Sequence, residues 1–352
     1  MLSEQPSIRA DSTRHASARR VLLILLRFTI GAGLLAYLAR SGIVDFRALS
    51  KSFTMWRITF AAVTLLLLDS TLMSIRLSWL FRPQGLNLRF ITSLKLTLVG
   101  FFFATFLPGA AGGDLSKLFY VTRGSGGRRI EIMTVVFLDR AIGLFSLLLL
   151  PIIFAPLFAH SFSGVLILRR LLATIGVVAL GAFAGFLVCL FSDLFVNLIP
   201  SRARNHLTNG VVRKVRGVIA AYRENYGVLL AALGMSLLAN LLLVFVTMIG
   251  ALTVAPSSWN SRMFLVIPIG HIANSLPLTP GGLGVGETAF NTLFNLVGLL
   301  GGAETLLLTR IWMALVGAIG FVFYLRGISR EVFDERVRSD EPCSVVLGAI
   351  KS

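Results

Sequence analysis

The chain has 352 residues, of which 56% are hydrophobic and only 14% charged, with a mean hydropathy of +0.84. That balance excludes an ordinary soluble domain, because the apolar residues come in blocks long enough to cross a bilayer. A net charge of +17 invites a nucleic-acid partner. No DNA- or RNA-binding motif accompanies it, and basic residues of this kind gather in cytoplasmic loops and beside anionic lipid.

In chain order, residues 1–20 form a basic N-terminus and 21–40 an apolar run of 20 residues. A cleaved signal peptide has a shorter apolar stretch of ~7–15 residues, so 21–40 reads as a retained first helix. Further runs at 58–80, 131–159, 171–195, 226–253 and 305–325 each reach the ~20 residues that a spanning helix needs. The class is therefore an all-α polytopic membrane protein with six spanning helices. A transmembrane β-barrel would show short alternating segments.

Other apolar pieces are too short to span. After 90–107 the chain turns through PGAAGGD, and only LSKLFYVT (115–122) precedes the polar run RGSGGRR. Segments 263–276 and 288–300 likewise flank LPLTPGGLGVGE (276–287). Short hydrophobic pieces interrupted by Gly and Pro are the sign of re-entrant hairpins, here about 90–122 and 263–300. From Gly281 the second turn nearly spells a phosphate-binding loop, but Glu287 replaces its lysine and would repel phosphate.

With both termini cytoplasmic and two hairpins, 22 of the 33 Lys/Arg fall inside, 7 outside and 4 within apolar segments. If every block spanned instead, the better orientation would give 19 against 10. The positive-inside rule prefers the hairpins. The order then becomes span, span, hairpin, span, repeated upside down over about 21–159 and 171–325. Between the halves, 202–223 carries Leu207, Val211, Val215, Val218 and Tyr222 on one helical face, which suits an interfacial helix on the cytoplasmic leaflet. Residues 326–352 form a charged cytoplasmic tail.

The repeat is visible in residues. Pro108, Gly112 and Gly113 match Pro277, Gly281 and Gly282 within two copies of L-P-x-x-x-G-G. Each copy is followed by a carboxylate, Asp114 or Glu287, and then by an arginine inside the next span, Arg140 or Arg310. Inverted repeats place substrate near the midplane between the halves. An arginine at helix centre costs ~2.5–3.5 kcal/mol to insert, so each must face a partner or a wet cavity. Its planar fork suits phosphate or carboxylate. Arg140 and Arg310 are therefore candidate headgroup ligands, with Asp69 or Asp114 as the alternative, structural partner of Arg140. Asp114 and Glu287 suit the positive ends of the half-helices that follow them, or serve as counter-ions or proton-coupling groups.

Lys117 belongs to a basic rim with Arg123, Arg128 and Arg129 that suits anionic headgroups or simple topology. Asp69 and Arg76, seven apart, are expected to take part in an internal ion pair or hydrogen-bond network, and Asp139 projects from a different face than Arg140. His271 and Asn274 are placed to hydrogen-bond the broken backbone, and Gly284 continues the glycine-rich turn. Cys189 and Cys343 fit neither a disulfide framework nor a metal site. Enzyme motifs, metal clusters and cofactor loops are not found, so no catalytic residue, metal or cofactor is expected.

PGAAGGDLSKLFYVTR, FLDRAIGLFSLLLL and LPLTPGGLGVGE together resemble the lysylphosphatidylglycerol synthase transmembrane family, a flippase-like membrane domain, over roughly 20–325. The family motif falls on Pro108, Gly112, Gly113, Asp114, Asp139, Arg140, Pro277, Gly281, Gly282, Gly284 and Glu287. Many members are expected to carry arginine shortly after the second glycine motif, where this chain has Gly286-Glu287. The resemblance implies movement of a lipid between leaflets of a bacterial inner membrane, with hairpins as gating parts. A tail of about 27 residues leaves no room for the aminoacyl-transferase domain of two-domain members, so lipid synthesis is not implied. The lipid is expected to be an anionic phospholipid or an isoprenoid-type lipid. A non-transporting lipid-binding subunit of a separate glycosyltransferase or aminoacyltransferase is the alternative, and a small-anion transporter a third.

Overall fold

A computed structural model describes residues 55–106, 111–122, 128–158, 166–191, 208–256, 259–276 and 282–326. The expected helix at 21–40, the tail beyond Arg326, and Pro108, Pro277 and Gly281 lie outside the described residues. Five helices are long and apolar enough to cross a membrane. They are α1 (Trp56–Phe81), α4 (Arg129–Leu157), α5 (Leu166–Phe191), α7 (Tyr226–Val254) and α10 (Gly302–Leu325). Four shorter helices are α2 (Phe90–Phe106), α3 (Ala111–Thr122), α8 (Met263–Asn274) and α9 (Val285–Leu296). A polar-faced helix, α6 (Thr208–Glu224), joins α5 to α7. No strand occurs among the described residues.

At 1.5 Å per residue α2 is roughly 25 Å long, and α3, α8 and α9 about 18 Å each, all short of a ~30 Å hydrocarbon core. The short helices pack in sequential pairs, α2 on α3 and α8 on α9. Contacts within and between the halves come in matching sets. The helix α1 packs on α7 at the centre, α2 on α10 as α8 on α4, and α3 on α4 as α9 on α10.

Burial repeats along α4 and α10 at an offset of 170. Ile142, Ser146, Leu147 and Leu150 are buried, and so are Trp312, Val316, Gly317 and Gly320. Arg140 and Arg310 share the same offset. The helices α4 and α10 thus cover matching positions along their lengths.

The α2–α10 crossing depends on two glycines. A Cβ at Gly317 would stand 3.2 Å from the Phe102 backbone, and one at Gly320 would press on the Leu98 carbonyl oxygen with Val99 N at 2.8 Å. Backbone cannot yield as a side-chain tip does, and small residues are what let membrane helices approach this closely. Gly320→Leu is expected to cost roughly 1–3 kcal/mol or more by overpacking. Gly234 has nothing within 4 Å of its ideal Cβ position. Gly234→Ala should therefore be neutral or gain up to ~1 kcal/mol from helix propensity. Unfolding of both variants in detergent checks the contrast.

Tyr222 and Val218 of α6 are buried in a cluster with Leu80, Phe81 and Ile132. The Tyr222 hydroxyl donates to the Leu80 carbonyl, Gln84 Nε2 donates to the Val218 carbonyl at 3.2 Å, and Lys214 lies 3.5 Å from Glu131. Burial, and secondarily the charge of Asp139, pushes the Tyr222 hydroxyl above its ordinary range. The apolar face of this helix is thus taken up by protein at Val218 and Tyr222.

Candidate functional site

The first polar cluster is assembled where α3 folds back along α2. Gly113 lies so close to Gly100 that a Cβ on Gly113 would come 2.7 Å from the Gly100 carbonyl oxygen. Only a glycine there lets the first turn of α3 sit against α2. Asp114 stands in that first turn, and Lys117 lies one turn further along the same face. Arg140 Nη1 of α4 donates to Asp114 Oδ2 at 2.5 Å, and Lys117 Nζ lies 3.8 Å from Asp114 Oδ1. The Arg140 and Asp114 side chains are 28% and 21% exposed. Two cations therefore share one carboxylate at a half-open position.

The second cluster occupies the equivalent place in the other half but is closed. Glu287 Oε2 accepts the Gly284 N–H at 2.7 Å, which caps α9. Its Oε1 lies 3.2 Å from Arg310 Nε, and Arg310 Nη2 donates to Asn274 Oδ1 at 2.6 Å. The Glu287 side chain is fully buried and that of Arg310 16% exposed. Gly282 (φ +72°) and Gly284 (φ +82°) adopt left-handed backbone. A Cβ on Gly282 would meet Asn274 Oδ1 at 2.5 Å. One acid and one base balance here, so the second cluster ties α8, α9 and α10 together. Glu287 combines the helix-start and counter-ion readings weighed from its sequence position.

A third network lies between α1, α4 and α7; it holds Arg76, as one of the two expected arrangements had it, but not through Asp69. Asp69 and Arg76 share a helix face but are two turns, roughly 10 Å, apart along the axis, too far for a direct pair. Arg76 Nε instead donates to Asp139 Oδ1 at 2.7 Å, and Arg76 Nη1 to Ser236 Oγ at 2.7 Å. Its guanidinium lies over Gly143, where a Cβ would stand 3.2 Å from Nη1. Asn240 Nδ2 donates to Ser146 Oγ at 2.6 Å and to the Gly143 carbonyl at 3.1 Å.

Arg76 and Lys117 are both buried, at 4% and 8% exposure. Under the expectation that both termini are cytoplasmic, both belong to the 22 inside charges, and burial removes them from that tally, leaving 20 against 7. His271 also departs from expectation: its Nε2 is 2.9 Å from Thr247 Oγ1 on α7, and Asn274 serves Arg310. Lys95 lies 5.7 Å over the Phe323 ring.

Ser236, Asn240 and Ser146 escaped the sequence reading. The usable signal was the i, i+4 pair Ser236/Asn240 in an otherwise apolar helix, since polar residues at that spacing share one face. Gly112 falls in the first turn of α3. No group of three metal-ligating side chains occurs among the described residues.

The family model for the lysylphosphatidylglycerol synthase TM region matches residues 24–323. No curated protein and no solved structure matches.

Proposed function

From the premise that the chain belongs to the lysylphosphatidylglycerol synthase transmembrane family, a family of multi-pass membrane proteins, we propose that it moves an anionic lipid between leaflets. In this reading it sits in a bacterial inner membrane with both termini cytoplasmic. The pairs α2–α3 and α8–α9 are hairpins that enter from opposite faces, the two halves being inverted repeats. Alternating access would then come from one half rocking against the other around a shared site.

The observation that carries the reading is the contrast between the two clusters. Asp114 shares its charge between Arg140 and Lys117 at a half-open position, whereas Glu287 and Arg310 are enclosed. An arriving phosphate diester finds a half-open guanidinium fork and, beside it, the buried Lys117 ammonium at the first site. At the second it would have to break a buried, balanced pair. Headgroup binding is accordingly assigned to Arg140 and Lys117, with Asp114 as the counter-ion they share in its absence. Arg310, Glu287 and Asn274 hold the second hairpin.

Reconstitution into vesicles carrying a fluorescent phosphatidylglycerol, quenched from outside, tests this. Leaflet exchange well above protein-free vesicles is expected. Arg140→Ala should slow it roughly tenfold or more, the equivalent of losing one charged hydrogen bond of ~1.5–3 kcal/mol. Binding without exchange would point instead to a non-transporting subunit.

A further inference from the structure

Arg140 stands on the outer face of α4. Met133 and Phe137 lie seven and three residues before it and Leu144 four after, spacings that share one helix face. These three are 50%, 75% and 37% exposed. On α3, Leu115 and Phe119 are likewise exposed, while Ser116, Lys117 and Tyr120 are buried. The Arg140–Asp114 pair bridges the two helices at 2.5 Å, so it lies in a seam between α3 and α4 with apolar lips. At 1.5 Å per residue, Arg140 is roughly 16 Å along α4 from Arg129, well inside a helix apolar enough to span. Lys117 forms the back of the seam, its Cε 3.4 Å from the Cβ position of Gly100 on α2.

The second cluster has no matching opening. Ala303 and Leu307 stand seven and three residues before Arg310, as Met133 and Phe137 stand before Arg140. Ala303 is fully buried and Leu307 partly so. The cause is the seating of α9 on the start of α10, where the Phe290 carbonyl oxygen lies 2.5 Å from the Cβ position of Gly302. The opening therefore belongs to the α3–α4 side alone of these two helix pairs.

We infer that the α3–α4 seam is a lateral entry for an amphiphile. Its anionic head reaches Arg140 and Lys117 from the bilayer side, and its hydrocarbon chain stays outside the protein against Leu115, Phe119, Met133 and Phe137. The inference rests on the headgroup reading above and adds to it the route and the ligand class. Ionisable side chains in spanning helices almost always face the bundle interior or water. Arg140 instead shares a face with residues that meet lipid tails, where only a ligand with a head and a tail suits both surfaces. A lipid brings its head to that face with its chain already in hydrocarbon. A free phosphate would have to leave water and cross an apolar surface to reach the same arginine. The end of α4 carrying Arg128 and Arg129 supplies positive charge beside the seam's mouth, where anionic lipids gather.

The test uses the full chain in vesicles containing phosphatidylglycerol with a photoreactive diazirine on one acyl chain. After illumination, labelled peptides are mapped by mass spectrometry. The outer face of α5, with Val177 and Leu180 exposed, reports lipid that merely surrounds the protein. In wild type the seam residues should be labelled in excess over α5. Arg140→Ala should lower that excess roughly tenfold, the effect of losing one charged hydrogen bond. Labelling of α5 should be unchanged, which shows that the variant is folded, and Arg140→Lys should keep most of the excess. Phosphatidylcholine with the same diazirine should label both places alike, and glycerol phosphate in solution should not compete. Equal labelling of seam and α5 by phosphatidylglycerol in wild type, an excess indifferent to Arg140→Ala, or displacement by glycerol phosphate would overturn the inference. Phosphatidylglycerol binding that depends on Arg140 but places the chain label away from the seam would keep the headgroup reading and overturn the route. A seam excess without leaflet exchange would sustain the route and contradict transport.

Discussion

Asp139→Ala is expected to destabilise the protein by about 3–5 kcal/mol, among the largest losses of any single substitution considered. Asp139 and Arg76 are both almost fully buried, and Asp139 supplies the only carboxylate at hydrogen-bond distance from the Arg76 guanidinium among the described residues. Removing it leaves a cation in the bundle with Ser236 as its remaining side-chain acceptor. The diagnostic comparison is the double variant Arg76→Met/Asp139→Leu. A buried ion pair seldom outcompetes an apolar pair of similar volume, so the double variant should recover most of what the single one loses. Detergent-denaturation midpoints for both chains check this. A cost below ~1 kcal/mol for Asp139→Ala would mean that water reaches the pair, as it does at surface salt bridges.

Glu287→Ala should be similarly costly, again about 3–5 kcal/mol, because one side chain does two jobs. One oxygen caps α9 at the Gly284 N–H, and the other faces Arg310. Glu287→Gln retains an acceptor for the cap, worth ~1 kcal/mol, while removing the charge, so its loss should be intermediate. Asp114→Ala, at the equivalent place in the first half, is expected to cost far less, ~0–1 kcal/mol, because that pair is half open to solvent. The ordering Glu287→Ala, Glu287→Gln, Asp114→Ala by stability, and the reverse emphasis by lipid exchange, would separate a structural clip from a binding site. Equal stability losses at 114 and 287 would erase the distinction.

The long apolar blocks were legible because a bilayer demands backbone hydrogen bonds within each segment and apolar side chains outside it. Five of six expected spans are seen as helices with ends shifted by a few residues, most at α5, which begins at Leu166 rather than 171. The breaks within the short helix pairs α2–α3 and α8–α9 were legible through Gly and Pro, whose backbone behaviour is local. Gly282 and Gly284 have positive φ, and Gly113 is pressed against Gly100.

Pairings across the bundle were not legible to the same degree. Helical periodicity says which residues share a face, and so it suggested Asp69 with Arg76. It does not carry axial distance between helices, which brought Arg76 to Asp139 instead. The same limitation hid Asn274 as the partner of Arg310, and Ser236 as that of Arg76. Charge counting failed locally for a related reason. Lys117 follows a glycine turn and looks like loop, but the fold-back of α3 buries it against Gly100.

In the proposed function an anionic lipid headgroup sits on Arg140 and Lys117. Native mass spectrometry of the gently purified protein, with retained lipids identified, tests it most directly. Wild type should carry anionic lipid in excess over its share of the host membrane. Arg140→Ala should lose that excess, and Glu287→Gln should keep it. Retained lipid that is zwitterionic, or anionic lipid held equally by wild type and Arg140→Ala, would contradict the claim.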